Sequence, residues 1–411
     1  MLINFEVKNF RSFKNHAEFS MEIGDGIEEF KLTHVSEIGN FYLLKSAILF
    51  GANASGKSNL IKAIKELQHI VTIPTRDATE MLVTDTFCYN VNPTWFRVDF
   101  VKNEKKFSYM IEYNENEVVN ERLMINRKVV IERNKQEFLE LPESIEILKN
   151  NIRKNQLVLF FAQNNNDSES IEAYEWFAKD LRFIDYNILN SRNSLLFKYL
   201  KQTVFKEKFL AFLKYADFNI EDIEVIEGTE PDVLFSRNEN EEILLGKVLG
   251  RTNLYKLLIT HLFNDGQSLK IELSNESAGT QAFVILALHF LLTQKNQGKV
   301  ILVDEFNSSF HIELSEALLD LINRAKQNNQ FILTTHELSL MDYELRKDQI
   351  YFAEKDREGT TDLFSLFDFA ESGRKLKNVT YERDYLNGRY GGVPLVSSAL
   401  LKAVVEEVAH I

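Results

Sequence analysis

The stretch GANASGKSNLIKAIK, residues 51–65, decides how the rest of the chain is interpreted. It matches the pattern GxxxxGK[ST] at Gly51, Gly56, Lys57 and Ser58. In this pattern the glycines let backbone N–H groups turn inward around phosphates, the lysine reaches the β- and γ-phosphates, and the hydroxyl binds Mg²⁺. The sequence therefore predicts a phosphate-binding loop in which Lys57 and Ser58 are the main side chains.

The segments on both sides of the loop support this interpretation. The run LLKSAILFG before it is typical of a buried strand, and SNLIKAIKELQHIV after it has apolar residues at helical spacing. A helix that begins at the loop directs the positive end of its dipole toward the same anion. Strand, loop and helix form the context in which the motif is specific, and they add Ser55 and Asn59 to the candidate nucleotide-binding residues.

A second segment, VILVDEF at residues 300–306, supplies groups that a hydrolytic site needs. Four apolar residues predict a buried strand whose carboxyl end presents Asp304 and Glu305. We expect Asp304 to be a Mg²⁺ ligand and Glu305 to be the base that orients the attacking water. The alternative is an acidic pair without function at the end of a strand.

The composition is that of a globular protein with one cysteine, Cys88. The chain has 411 residues and 45% hydrophobic content, enough for two or three lobes. No stretch is long and apolar enough for a membrane helix, and the first residues lack a signal sequence, so we expect a cytoplasmic protein. The net charge of −13 argues against a surface that binds nucleic acid everywhere.

The pattern along the chain predicts an α/β fold. Alternating apolar residues near the start indicate antiparallel strands, and residues 95–133 are typical of a β-meander. Residues 135–265 are predicted to be mostly helical. From residue 270 onward, helices and strands alternate as in βαβ units, which predicts a largely parallel sheet.

A second candidate anion site lies between the two motifs, in LSNESAGTQ at residues 273–281. Ser277 and Gly279 stand where an apolar helix begins, so a hydroxyl, backbone amides and the helix dipole would face one phosphate. The alternative is an ordinary serine N-cap.

In this order, the motifs resemble those of ABC-type ATPases. The segment ESAGTQ resembles their signature loop, which implies that Ser277 and Gly279 bind the nucleotide of a partner subunit. The segment FILTTHE ends at His336, which matches the switch histidine of that family. The segment NSSFH resembles the D-loop, with Ser309 and His311 at the matching positions.

The resemblance extends to other segments. KNFRSF resembles the opening of SMC- and RecF-like ATPases, which places Arg11 beside the nucleotide, and Asn53 matches an asparagine of their phosphate loop. Gln163 is the candidate Q-loop residue, implied to contact nucleotide and metal. The chain departs from the family at Ile312, where proline is usual, and at Glu337, where Asn or Asp is common.

More narrowly, the chain resembles stand-alone ATPases related to SMC, RecF and OLD proteins, including the AbiLi and RloA antiphage group. The resemblance implies an ABC-type ATPase head with a mixed or parallel sheet and an N-terminal antiparallel part. It divides the chain into a first head part at 1–90, an inserted β-meander and helical lid at 91–265, and a second head part at 266–411.

The resemblance also implies a function. ATP and Mg²⁺ would be the cofactors, and Lys57, Glu305 and His336 the catalytic residues. MgATP would close a head-to-tail homodimer or higher oligomer that controls a separately encoded toxin or nuclease, with nucleic acid as a further partner and no membrane. Only 75 residues follow His336, too few for the nuclease domain of OLD proteins.

Two alternatives stay open at this point. A RecF-like maintenance ATPase would bind DNA in an ATP-dependent and salt-sensitive way. A transporter subunit would require an aromatic loop before the phosphate loop and an LSGGQ-like signature, whereas this chain has KNFRSF and ESAGTQ.

Overall fold

The computed structural model describes residues 1–147, 149–186, 195–233, 236–237, 243–244, 248–263, 265–307, 310–369, 380–391 and 397–408. The chain forms two compact units. Unit 1 comprises Met1–Arg182, Gly298–Phe306 and Asp320–Ile411, and unit 2 comprises Phe183–Gln297 and Asn307–Leu319. The three-part division drawn from the sequence stays a prediction.

The part of the chain that the structure describes contains more strands than α-helices. In chain order they are β1 (Leu2–Lys8), β2 (Ala17–Ser20), β3 (Val35–Ile38), β4 (Phe41–Leu44), β5 (Ser46–Phe50), β6 (Thr94–Lys102), β7 (Lys105–Tyr113), β8 (Val118–Ile125), β9 (Lys128–Asn134), β10 (Glu137–Glu140), β11 (Leu181–Ile184), β12 (Asp222–Val233), β13 (Ser236–Arg237), β14 (Ile243–Leu244), β15 (Val248–Leu262), β16 (Ser268–Glu272), β17 (Val300–Val303), β18 (Gln330–Thr334), β19 (Ile350–Lys355) and β20 (Thr361–Ser365).

Ten α-helices lie within the described residues. In chain order they are α1 (Lys31–His34), α2 (Lys57–Thr72), α3 (Glu143–Glu146), α4 (Val158–Asn164), α5 (Ser168–Glu175), α6 (Thr203–Tyr215), α7 (Ala278–Gln294), α8 (Ile312–Arg324), α9 (Tyr381–Leu386) and α10 (Ser398–Val408). Within the described ranges, every helix is too short or too polar to cross a membrane.

A six-stranded sheet with the order β11-β17-β18-β5-β19-β20 carries the phosphate loop. The strands β17, β18, β5 and β19 are parallel, and β20 pairs with β19 in the antiparallel direction. The strands β5, β17 and β18 are buried along their whole length, as continuous apolar runs in a parallel sheet require. The predicted α/β fold is confirmed, and the carboxyl ends of these three strands adjoin at one edge.

A seven-stranded sheet has the order β10-β9-β8-β7-β6-β1-β2, and all its pairs are antiparallel. The predicted N-terminal antiparallel part and the predicted β-meander are both confirmed. Because β6 pairs with β1, with Val98 opposite Phe5, the meander continues the N-terminal sheet and does not form a separate one.

One prediction for the middle of the chain is wrong. Residues 222–262, predicted as part of a mostly helical region, contain the long antiparallel pair of β12 and β15. Leu257 and Ile259 are buried two residues apart, and Ile223 lies opposite Ile259 with its side chain also buried. Apolar residues at 254, 257, 258 and 262 fit a helical period as well, and the pairing with β12 decides between the two.

The C-terminal segment packs on the parallel sheet within unit 1. Tyr385 and Tyr390 stack on Phe352 of β19, with ring centroids 5.4 and 5.5 Å apart. The backbone N–H of Tyr381 donates to Asp342 Oδ1 at 2.7 Å, which fixes the start of α9. Residues 392–394 lie outside the described residues, as does Ser309 of the segment NSSFH.

Candidate nucleotide-binding site

The phosphate loop connects β5 to α2, and its two motif glycines are closely packed. Gly56, the residue before α2, has φ 111°, a conformation that side-chain-bearing residues rarely adopt. A Cβ atom on Gly56 would collide with the side chain of Thr361. A Cβ atom on Gly51 would lie 2.6 Å from the carbonyl oxygen of Ala353 and 2.7 Å from Ser55 Oγ. Both motif glycines are therefore required by the close packing of the loop.

Lys57 lies inside the loop and holds it together. Its Nζ donates to the carbonyl oxygens of Gly51 and Ala52 at 2.8 and 2.9 Å. Burial lowers the pKa of Lys57, while the nearby carboxylates of Asp304 and Glu305 raise it. The ammonium group is thus already positioned within the loop that the motif assigns to phosphates.

Ser58 and Asp304 meet at the edge of the parallel sheet. Ser58 Oγ donates to Asp304 Oδ1 at 3.0 Å, although the two residues are 246 positions apart in the chain. Thr334 Oγ1 donates to the same carboxylate oxygen at 2.5 Å. Since a hydroxyl and a carboxylate of P-loop proteins share one Mg²⁺ ion, this contact brings together two of the three predicted metal ligands.

Glu305 follows Asp304 in a strained backbone conformation. Its φ is 50°, in the left-handed region that costs free energy for a residue with a side chain. The backbone N–H of Glu305 donates to Thr334 Oγ1 at 2.8 Å, which holds the turn, and the side chain is exposed. This turn therefore places an exposed carboxylate directly after Asp304, beside the Ser58–Asp304 contact.

The residues of the loop fit a nucleotide phosphate and one metal ion. Ser55 Oγ is buried and has no hydrogen-bond partner among the described residues, as expected of a group that faces an anion. Across the same residues, His, Cys, Asp and Glu nowhere form a group of three that could hold a metal. A Mg²⁺ ion at Ser58 and Asp304 would therefore complete its shell with phosphate oxygens and water, as is usual for this ion.

Two polar residues behind the loop were not predicted. Thr361 Oγ1 lies 2.8 Å from both Ser12 Oγ and the carbonyl oxygen of Ser55, and Asn59 Nδ2 donates to Ser12 Oγ at 2.7 Å. This network connects the N-terminal strands, α2 and β20 behind the phosphate loop. Ser12 belongs to the segment KNFRSF and could have been noticed there, whereas nothing in the sequence near Thr361 points to the loop.

Arg11 contacts an acidic residue in this structure. Its guanidinium forms an ion pair with Asp85 at 2.6 Å, and its backbone N–H donates to the Asp85 carbonyl oxygen, also at 2.6 Å. Glu66 of α2 lies near this pair, and burial, then the charge of Asp85, raises the pKa of Glu66 to about 7. The role of Arg11 beside a nucleotide stays a prediction.

The other predicted residues lie at different places in the fold. His336 is exposed two residues after β18, and Asn53 is exposed within the loop. Gln163 lies on α4, which packs against α2, and within the described chain its side chain forms no hydrogen bond with the phosphate loop. The roles of these three residues stay predictions.

Ser277 and Gly279 lie in unit 2, at the start of α7. Ser277 is the N-cap residue, and its Oγ accepts a hydrogen bond from the Thr280 N–H at 3.1 Å. Ser277 and Ala278 are exposed. The middle of the helix that follows, residues 282–288, is buried, and Phe283 stacks on Phe218 with ring centroids 4.4 Å apart. The predicted second anion site is thus an exposed helix start on a well-packed helix.

A known protein family matches the part of the chain that contains this site. Residues 46–342 match the family described as "AAA domain, putative AbiEii toxin, Type IV TA system". The chain belongs to this family. The match begins in β5, before the phosphate loop, and includes Asp304 and Glu305, so the recognition of an AAA-type P-loop ATPase is confirmed. No protein with a curated description matches the chain.

Several solved SMC heads have a similar arrangement. The SMC head domain from Thermotoga maritima is 16% identical, with 89% of this chain and 98% of that chain covered, at a TM-score of 0.41. An SMC head bound to the C-terminal winged-helix domain of ScpA is 13% identical, with 89% and 97% covered and a TM-score of 0.44. An SMC head from Pyrococcus furiosus is 11% identical, with 89% and 96% covered and a TM-score of 0.42. At such identities and TM-scores, the likenesses carry no conclusion about function.

Proposed function

We propose that the chain hydrolyses ATP with Mg²⁺ and acts as a nucleotide-driven switch. The hydrogen bond between Ser58 Oγ and Asp304 Oδ1 carries this proposal, because it joins the phosphate loop to the acidic strand end at one point. Lys57 lies beside them in the loop, and Glu305 follows directly. Adenine as the base rests on the resemblance to ABC-type ATPases.

Each side chain has a separate task in the proposed hydrolysis. A Mg²⁺ ion held by Ser58 and Asp304 would supply positive charge that offsets the negative charge of the phosphates. Lys57 and the loop N–H groups stabilise the charge that develops on the transferred phosphoryl group, and Asp304 holds the metal. Glu305 orients the attacking water and accepts its proton as the oxygen bonds to the γ-phosphorus, while the bond to the ADP oxygen breaks.

The second helix start suggests that two chains share one nucleotide. The phosphate-loop motif with Lys57 already supplies the ammonium group and the backbone N–H groups that bind the phosphates of one nucleotide. Ser277 offers another exposed hydroxyl and helix start in unit 2, and such a site binds phosphate through its N–H groups and dipole. A head-to-tail homodimer, as in ABC-type ATPases, would place Ser277 of one chain at the γ-phosphate held by the other chain.

We further propose that closing and opening of this dimer controls a separately encoded toxin or nuclease in the cytoplasm, as part of antiphage defence. The support is the family description, which names a toxin–antitoxin system, together with the resemblance to antiphage ATPases. Nucleic acid is a further partner under this proposal.

The test is the mass of Glu305→Gln protein in solution, measured by light scattering with and without MgATP. Removing the base should lower turnover by about a hundredfold or more, and the trapped nucleotide should double the mass. Adding Ser277→Arg should abolish the doubling, whereas Ser268→Arg, at an exposed serine of the same unit, should not.

Two results would contradict the proposal. Unimpaired turnover in Glu305→Gln would remove Glu305 from its catalytic role. If the mass of Glu305→Gln is the same with and without MgATP, or if MgATP still doubles the mass after Ser277→Arg is added, Ser277 does not complete the site of another chain.

A further inference from the structure

A histidine of β15 holds the loop that carries Ser277. His261 Nε2 lies 2.6 Å from Glu276 Oε1, and Glu276 is the residue directly before Ser277. The side chains of His261 and Glu276 are only 20% and 9% exposed, so water competes weakly for this contact. The contact therefore connects the hairpin of β12 and β15 to the start of α7.

The second ring nitrogen of His261 is also engaged. Nδ1 lies 2.5 Å from the carbonyl oxygen of Asn219, in the turn before β12. Each ring nitrogen of His261 therefore has an oxygen atom within hydrogen-bond distance, so the imidazole is held on two sides.

The other side of the loop is held independently. Gln281 Nε2 lies 2.8 Å from the Glu276 carbonyl oxygen and 3.1 Å from the Ser274 carbonyl oxygen. Gln281 fixes the backbone around the loop, while His261 fixes the side chain of Glu276. Ser277 is thus clamped between a strand pair and a buried helix, although it is itself exposed.

We propose that His261 is a positioning residue for Ser277, acting through Glu276, and that it sets the loop geometry that a second chain recognises. This inference rests on the proposed function of Ser277. His261 and Glu276 belong to unit 2, whereas the phosphate loop and the Ser58–Asp304 contact belong to unit 1, so the effect of changing His261 should fall on dimer formation and not on nucleotide binding.

The test uses the Glu305→Gln chain and measures two quantities for each variant. One is the affinity of the isolated chain for a fluorescent ATP analogue, and the other is the protein concentration at which MgATP doubles the mass. His261→Ala should leave the affinity unchanged and raise the concentration for doubling by on the order of tenfold to a hundredfold, because a misplaced group of this kind costs about that much.

Two substitutions of Glu276 distinguish loss of the contact with His261 from a general loss of stability. Glu276→Gln has an amide N–H that can donate to Nε2 of a neutral His261, so both ring contacts persist and doubling should remain near that of the parent. Glu276→Ala removes the contact and should behave like His261→Ala. If His261 and Glu276 contributed only surface charge, Glu276→Gln would reduce doubling of the mass as much as Glu276→Ala does.

The outcomes distinguish the inference from the proposed function. If Ser277→Arg does not prevent doubling, the proposed function fails, whatever His261→Ala does. If Ser277→Arg prevents doubling but His261→Ala doubles at the parent concentration, the inference fails and the proposed function stands. If His261→Ala loses nucleotide affinity together with doubling, its role is general stability, which also overturns the inference.

Discussion

Glu66 should make the free energy of unfolding depend on pH, and Glu66→Gln should remove this dependence. Its side chain lies on α2, and its Oε1 is buried without a hydrogen-bond partner among the residues that the structure describes. Burial, and then the charge of Asp85, raises the pKa of Glu66 from 4.5 to about 7, while Arg11 lowers it. The folded chain therefore holds the proton more tightly than the unfolded chain does.

The sign and size follow from this difference. Between pH 4.5 and about 7 the folded state binds more protons than the unfolded state, so the free energy of unfolding falls as the pH rises. The full contribution is present below pH 4.5 and is lost above about pH 7. At about 1.4 kcal/mol for each pH unit, the loss is about 3 kcal/mol, most of it between pH 5 and pH 8.

Glu66→Gln removes the ionisable group and keeps the shape of the side chain. Urea unfolding of both proteins at pH 5 and pH 8 gives the change in stability, and the change should be about 2 to 3 kcal/mol smaller in the variant. Glu140→Gln, at an exposed carboxyl of unit 1, should leave the pH dependence unaltered. If Glu66→Gln and the parent lose the same stability between these pH values, Glu66 does not titrate as the structure indicates.

Three further substitutions test packing, two of them beside the phosphate loop and one in the antiparallel sheet. Thr361→Val removes the hydroxyl behind the loop, so we expect a loss of about 1 to 2 kcal/mol in urea unfolding and weaker binding of a fluorescent ATP analogue; unchanged affinity would contradict this. Gly56→Ala forces a Cβ against Thr361, so nucleotide titration should show no binding while circular dichroism shows a folded chain. Glu121→Gln leaves the buried Arg133 without its carboxylate, which should cost about 3 to 5 kcal/mol of unfolding free energy, and a loss below 1 kcal/mol would refute a dependence on the ion pair.

The elements around the phosphate loop were predictable because their signals are local. The residues of β5 and α2 have the strand and helix patterns at the expected positions, and Leu60, Ile64 and Leu67 are buried as the helical spacing requires. The runs before Asp304 and Thr334 are likewise continuous and apolar, and both form parallel strands. The spacing of the apolar residues and the length of each segment were sufficient to predict these strands and this helix.

The middle of the chain was less predictable for a physical reason. In β15, apolar residues fit both a strand and a helix, so local periodicity does not decide between them. The twelve-residue strand β12, which pairs with β15, supplies the hydrogen bonds that favour the extended form. This pairing joins residues that are between 15 positions (Val233 and Val248) and 38 positions (Asp222 and Thr260) apart, so neither segment alone predicts it.

The sequence by itself determined the chemistry of the site: a phosphate loop at residues 51–58, a buried strand ending in Asp304 and Glu305, and a serine at the start of α7. These features depend on neighbouring residues, whose spacing is set by the backbone. Only the tertiary structure decided that β18 lies between β5 and β17, which brings Thr334 to Asp304. It also decided that Thr361 lies behind Gly56, and that His261 reaches Glu276. Such contacts depend on strand order and side-chain packing between distant segments, which no local pattern encodes.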